Sequence, residues 1–72
     1  MTPTDARRIA EELAEAKGWP FRDPVRIRRK APWFLGAPRW TVLSNADSKG
    51  GNIRVEIDEA TGAILASGYN PR

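Results

Sequence analysis

Apolar residues recur at intervals of three and four positions over residues 2–18, which predicts one amphipathic helix. The predicted buried stripe consists of Ala6, Ile9, Ala10, Leu13 and Ala16. Thr2 can cap the helix N-terminus, Pro3 suits its first position, and Gly18 can adopt the left-handed conformation that ends a helix. Because most of the stripe is alanine, the helix can lie close to the surface that it covers.

Beyond residue 20 the apolar period shortens to two, which is typical of half-exposed β-strands. The segments with this alternation are 25–30, 39–45, 52–58 and 63–67. In the third segment Ile53, Val55 and Ile57 share one side, which is predicted to face the core. Gly62 lies where a short hairpin turn needs a positive φ. An apolar loop is predicted at 31–38 and a tail at 68–72.

One helix followed by three or four antiparallel strands predicts a single small α+β domain over residues 1–72. The helix has only the sheet to cover, so it must lie on one face of it. The opposite face then carries the outward positions of the strands, namely Arg26, Arg28, Lys30, Arg54 and Glu56. We expect this second face to be open.

The chain has 72 residues and a net charge of +3, and its positive charge is concentrated in one segment. Residues 22–40 contain six basic residues and one acidic residue, so their local net charge is +5. A domain this short forms a thin core, and without cysteine no disulfide can reinforce it. These features favour self-association or a protein partner.

Histidine and cysteine are both absent, so the usual neutral-pH base and the most reactive nucleophile are missing. The acidic residues lack the spacing of an active site or of a calcium loop. We therefore expect no enzymatic activity, no metal and no cofactor. No apolar run is long enough to span a membrane and no export signal follows Met1. The expected location is cytoplasmic, or outside the cytoplasm if the chain is a processed fragment.

The segment WTVLSNADSKGGNIRVEIDEATGAILAS, residues 40–67, resembles the end of PepSY-type domains. The matching residues are Trp40, Val55, Ile57, Asp58, Thr61, Gly62, Ile64 and Leu65. The GGNIRVEID element is also similar to the end of some cystatin-like bacterial immunity proteins. In PepSY-type domains a hairpin of this kind closes a small sheet against one N-terminal helix. The resemblance implies a non-catalytic module that contacts other proteins, in some relatives by restraining a peptidase.

Basic and aromatic residues are adjacent in the stretch VRIRRKAPWFLGAPRW, residues 25–40, which is the candidate binding segment. A protein-binding surface, inhibitory or immunity-like, would use Arg26, Arg28, Lys30, Trp33, Phe34, Arg39 and Arg54. The alternative is a small single-stranded nucleic-acid-binding protein, with the basic residues on phosphates and Trp33, Phe34 or Trp40 as stacking platforms. In that alternative Arg29 would join the phosphate contacts. A solvated strand face that binds nothing remains the third interpretation.

Overall fold

The computed structural model describes residues 1–31 and 38–71. They form one helix and four strands: α1 Pro3–Lys17, β1 Arg26–Lys30, β2 Arg39–Leu43, β3 Asn52–Asp58 and β4 Ile64–Asn70. The strands form one antiparallel sheet in the order β1-β2-β3-β4, and α1 packs on one face of it. The predicted α+β fold is confirmed.

Helix α1 begins and ends as its sequence predicts. The Thr2 hydroxyl accepts a hydrogen bond from the Asp5 N–H (3.2 Å), and the Asp5 carboxylate accepts one from the Thr2 N–H (3.0 Å). This capping box lowers the pKa of Asp5, chiefly through the hydrogen bond from the Thr2 backbone. At the other end Gly18 has φ 74°, and its N–H and that of Trp19 donate to the carbonyls of the last turn.

The buried side of α1 differs from the predicted stripe at two positions, because Ala14 is buried without having been predicted and Ala16 is not buried. Ala6, Ala10 and Ala14 are buried, whereas Ala16 is exposed, so the assignment of Ala16 to the stripe is wrong. A spacing of four keeps successive side chains on nearly the same side of a helix. Ala16 lies two positions after Ala14, roughly 200° around the axis, and therefore faces solvent.

The core lies between α1 and the first three strands. Its buried strand residues are Trp40, Val42, Ile53, Val55 and Ile57, as the alternation predicts. Ser44 is also buried, and its hydroxyl accepts a hydrogen bond from the N–H of Ile53 (3.0 Å). The helix packs across β1, β2 and β3 and, among the described strands, leaves β4 without a helix contact.

The β3–β4 hairpin has the predicted turn. Gly62 has φ 75°, and the Asp58 carboxylate accepts hydrogen bonds from the Ala60 N–H (3.2 Å) and the Thr61 hydroxyl (3.0 Å). A bulge follows, because Ile57 pairs with Ile64 while the preceding residue of β3 pairs two positions further along β4.

The prediction of a tail from residue 68 is wrong, since β4 continues to Asn70. Tyr69 pairs with Ile53, and its ring stacks on Trp19 with the ring centroids 5.9 Å apart. Trp19 directly follows the helix cap, so this contact joins the end of α1 to the end of the sheet. Gly, Asn and Pro around Tyr69 are typical of turns, but the aromatic contact and the β3 ladder hold this segment extended.

Candidate functional site

In the described part of the chain, the second face of the sheet carries exposed side chains, among them Arg26, Arg28 and Arg54, and we call it the open face. The strand register determines which of its side chains are neighbours. Buried Val42 of β2 pairs with Ile27 of β1 and with Val55 of β3, and all three side chains are on the helix side of the sheet. The residues that precede and follow each of them along its own strand therefore point to the face without the helix. Across that face the register aligns Arg26 with Leu43 and Arg54, Arg28 with Thr41 and Glu56, and Lys30 with Arg39. Every predicted basic residue of the site that the structure describes is therefore on this face.

Three arginines surround a shallow depression in the open face. Its volume is about 280 Å³ and its lining residues are Arg26, Arg28, Thr41, Leu43 and Arg54. Strand β2 supplies the floor, with Thr41 and Leu43 half-buried, while the arginines rise from β1 and β3 on either side. We call this feature the arginine depression.

Thr41 lines the arginine depression, and its hydroxyl is buried and has no hydrogen-bond partner in the described part of the chain. A buried hydroxyl without a partner is costly, by about 1–3 kcal/mol. Buried polar groups usually have such a partner, so this hydroxyl is an exception within the described residues. The depression thus combines positive charge with an unsatisfied polar atom.

The cations of the open face differ in how they are compensated. Arg39 lies 3.8 Å from the Glu56 carboxylate, a long, partly exposed ion pair. Over the described ranges 1–31 and 38–71 no carboxylate forms an ion pair with Arg26, Arg28 or Arg54. The uncompensated charge is therefore concentrated at the arginine depression.

Arg29 belongs to the other side of the sheet and has a partner. It pairs in regular register with Trp40, and its guanidinium donates to both oxygens of the Glu59 carboxylate (2.5 and 3.0 Å). The Trp40 indole N–H donates to the same carboxylate at 3.1 Å. These contacts, led by the Arg29 hydrogen bonds, lower the pKa of Glu59 from 4.5 to about 2, and Glu59 in turn raises the pKa of Arg29.

Aromatic residues contribute little to the open face as it is described. Trp40 is only 7% exposed and points into the core, which removes it as a stacking platform. Trp19, Phe21 and Tyr69 pack against the same core from its edges. The two remaining predicted site residues, Trp33 and Phe34, lie outside the described residues.

Sequence reasoning missed Thr41 and Leu43 as parts of the site. Both alternate with the buried Trp40 and Val42, so the period of two already places them on the outward side of β2. Their neighbours across the sheet, Arg28 and Glu56 for Thr41 and Arg26 and Arg54 for Leu43, depend on the register of three strands, which periodicity does not determine.

Among the residues that the structure describes, no group of three or more acidic side chains is placed to hold a metal ion. No helix in the described ranges has the length and apolar character needed to cross a membrane. Comparisons of the chain with models of protein families, with curated proteins and with solved structures find no match.

Proposed function

We propose that this chain is a non-catalytic, PepSY-like protein-binding module whose open sheet face docks on an acidic surface of a partner protein. The arginine depression is the centre of the proposed interface, with Lys30 and Arg39 at its margin. A partner carboxylate would enter the depression, where guanidinium groups can bind it in bidentate fashion. The family assignment, the cytoplasmic location and the inhibitory or immunity-like role belong to the same proposal.

The observation that carries the proposal is the uncompensated state of the arginine depression. Arg26, Arg28 and Arg54 line the depression together with Thr41, whose hydroxyl is buried and has no partner in the described chain. A partner carboxylate that accepts from the guanidinium groups would compensate the charge of the depression.

The face suits a protein better than a nucleic acid. Sequence-independent binding of single strands combines phosphate contacts with bases stacked on aromatic side chains. The described aromatic residues pack against the core, and the apolar contributor to the depression is the aliphatic Leu43. Arginine is enriched in protein interfaces, and a partner segment with acidic and apolar side chains would complement the arginines and Leu43.

Affinity capture from the native host tests the proposal with two charge-matched triple variants. The first, Arg26→Gln/Arg28→Gln/Arg54→Gln, removes the cations of the depression. The control, Arg8→Gln/Lys17→Gln/Arg22→Gln, removes three exposed cations that lie on the helix and in the segment after it. Circular dichroism establishes that both variants fold. A partner protein should be retained by the wild type and by the control and lost by the first variant.

Retention of the same proteins by all three chains would contradict the proposed interface. A salt titration with a mixed-sequence oligonucleotide distinguishes the nucleic-acid alternative. Tight binding at low salt, with a steep linear decrease of log affinity against log salt concentration, would favour that alternative and overturn ours. We expect no measurable binding of the oligonucleotide.

A further inference from the structure

Strand β4 is an edge strand without a single charged side chain. The uncharged run extends from Ala60 to Pro71, in a chain that is 29% charged. Ile64 and Leu65 are 43% and 50% exposed, and they are two of the three large hydrophobic residues exposed in the described part of the chain. Long, uncharged and exposed edge strands are the ones that pair with further strands.

The backbone of β4 offers hydrogen-bonding groups at defined residues. The N–H and C=O of Ile53 both face β2, because the carbonyl accepts from the Ser44 N–H (2.9 Å) and the N–H donates to the Ser44 hydroxyl (3.0 Å). In an antiparallel ladder the residue opposite Ile53, which is Tyr69, then turns its own N–H and C=O away from β3. By the same alternation, the backbone N–H and C=O of Ser67 also point away from β3, toward the unpaired side of β4.

We infer that β4 pairs with β4 of a second copy of this chain, antiparallel and about a two-fold axis at Ser67. This register aligns Ser67 with Ser67 of the second copy and Leu65 with its Tyr69. The outward N–H and C=O groups of the two central serines then face each other, as a hydrogen-bonded pair requires. Ala66 aligns with Gly68, and these small residues permit close approach of the two backbones.

Electrostatics favours β4 over β1 as the edge at which two copies of the chain pair. Two copies that each carry a net charge of +3 repel one another. This repulsion is weakest when the two surfaces that meet carry no charged side chains. The other edge strand, β1, has the sequence RIRRK, so pairing it with itself would align like charges. The thin core of a short chain also gains from additional burial of Ile64 and Leu65.

The pairing would produce one continuous sheet of eight strands. The two-fold axis is perpendicular to the sheet, so both helices lie on one side and both open faces on the other. At about 4.8 Å per strand, the two copies of β2 would lie about 24 Å apart. This surface is separate from the open face, and the inference does not depend on the proposed function.

Sedimentation velocity over a range of concentrations tests the inference. The wild-type mass should rise from 8.0 kDa toward twice that value. Ser67→Lys and Ser67→Glu should each remain monomeric, because two like charges would oppose each other at the axis. An equimolar mixture of the two variants should form the dimer again. Ala16→Lys, at an exposed position of α1, is the control and should dimerise like the wild type.

A wild type that stays monomeric at every concentration would overturn the inference, as would dimers of either single variant. Failure of the mixture to dimerise would overturn the register centred on Ser67. Amide hydrogen exchange gives a readout that does not depend on substitutions. Exchange at Ser67 and Tyr69 should slow as the concentration of the wild type rises, and unchanged exchange would also contradict the pairing.

Discussion

The two edge strands of this sheet differ in their charge and in their contact with the helix. β1 contacts the helix and carries four basic residues in five, and this charge opposes pairing with a further copy of the same strand. β4 has neither charge nor helix contact, and most of its residues are exposed. One sheet therefore has an edge suited to charged ligands and an edge suited to another strand. The two edges of one small sheet can therefore serve different kinds of contact.

Substitutions at Ile57 and Ile64 should show the largest difference in unfolding free energy between the strand covered by the helix and the strand without a helix contact. They face each other across β3 and β4, yet Ile57 is fully buried and Ile64 is 43% exposed. Ile57→Ala should lower the free energy of unfolding by about 2–5 kcal/mol, because it leaves a cavity in the core. Ile64→Ala should cost about 1 kcal/mol or less.

Denaturant unfolding of both variants, at a concentration where the wild type is monomeric, measures this difference. Equal costs would mean that β4 is covered as well as β3, and the comparison between the two edges would fail. Ala16→Gly, in the exposed part of α1, provides a reference for a substitution that acts only on helix propensity, at about 1 kcal/mol.

Local patterns predict most of this fold. The N-cap at Thr2, the left-handed Gly18 and the alternation around Val55 each depend on residues a few positions apart, and each is found as predicted. The basic open face follows from the same alternation. Hydrophobic period and turn chemistry are local quantities, which is why the sequence alone predicts them.

Features that depend on contacts between residues far apart in the sequence cannot be predicted from local patterns. The extension of β4 to Asn70 requires the contact between Trp19 and Tyr69, which are fifty residues apart along the chain. The arginine depression likewise requires that Thr41 lie between Arg28 and β3 in a particular register. A strand alternation determines the side on which a residue lies but leaves its neighbours across the sheet undetermined.

A smaller effect should appear in acid, at the contact that joins β1 to the end of β3. The carboxylate of Glu59 binds Arg29 and Trp40, and its pKa in the folded state is about 2, below the ordinary 4.5. The unfolded chain therefore binds more protons between these values. The stabilisation is complete above pH 4.5 and is lost as the pH falls through about 2.

Urea unfolding from pH 7 to pH 2 measures this dependence. Glu59→Gln should reduce the dependence of the unfolding free energy on pH. The dependence that remains should come from Asp5, whose pKa is also lowered. Glu15→Gln, which removes an exposed carboxylate of α1, is the control and should keep the wild-type slope. A wild-type slope in Glu59→Gln would show that the Arg29 contact does not hold in solution.

The smallest change in stability should come from the cations of the open face, and its sign sharpens the comparison. Arg28 lies on β1 between Arg26 and Lys30, on the same side of the strand, and has no ion pair within the described ranges. Arg28→Gln should therefore change the free energy of unfolding by less than about 0.5 kcal/mol, and in the stabilising direction at low salt. The gain should vanish in about 1 M salt, where the Debye length is only about 3 Å.

Arg39→Gln is the matched variant, because it removes the same charge from a residue paired with Glu56 and should give no such gain. Chemical unfolding at low and high salt distinguishes the two substitutions. If Arg28→Gln destabilises the domain at low salt, Arg28 has a compensating contact and β1 is not an edge with uncompensated charge. If it stabilises the domain and weakens retention of the partner, the charge of β1 lowers stability but contributes to binding.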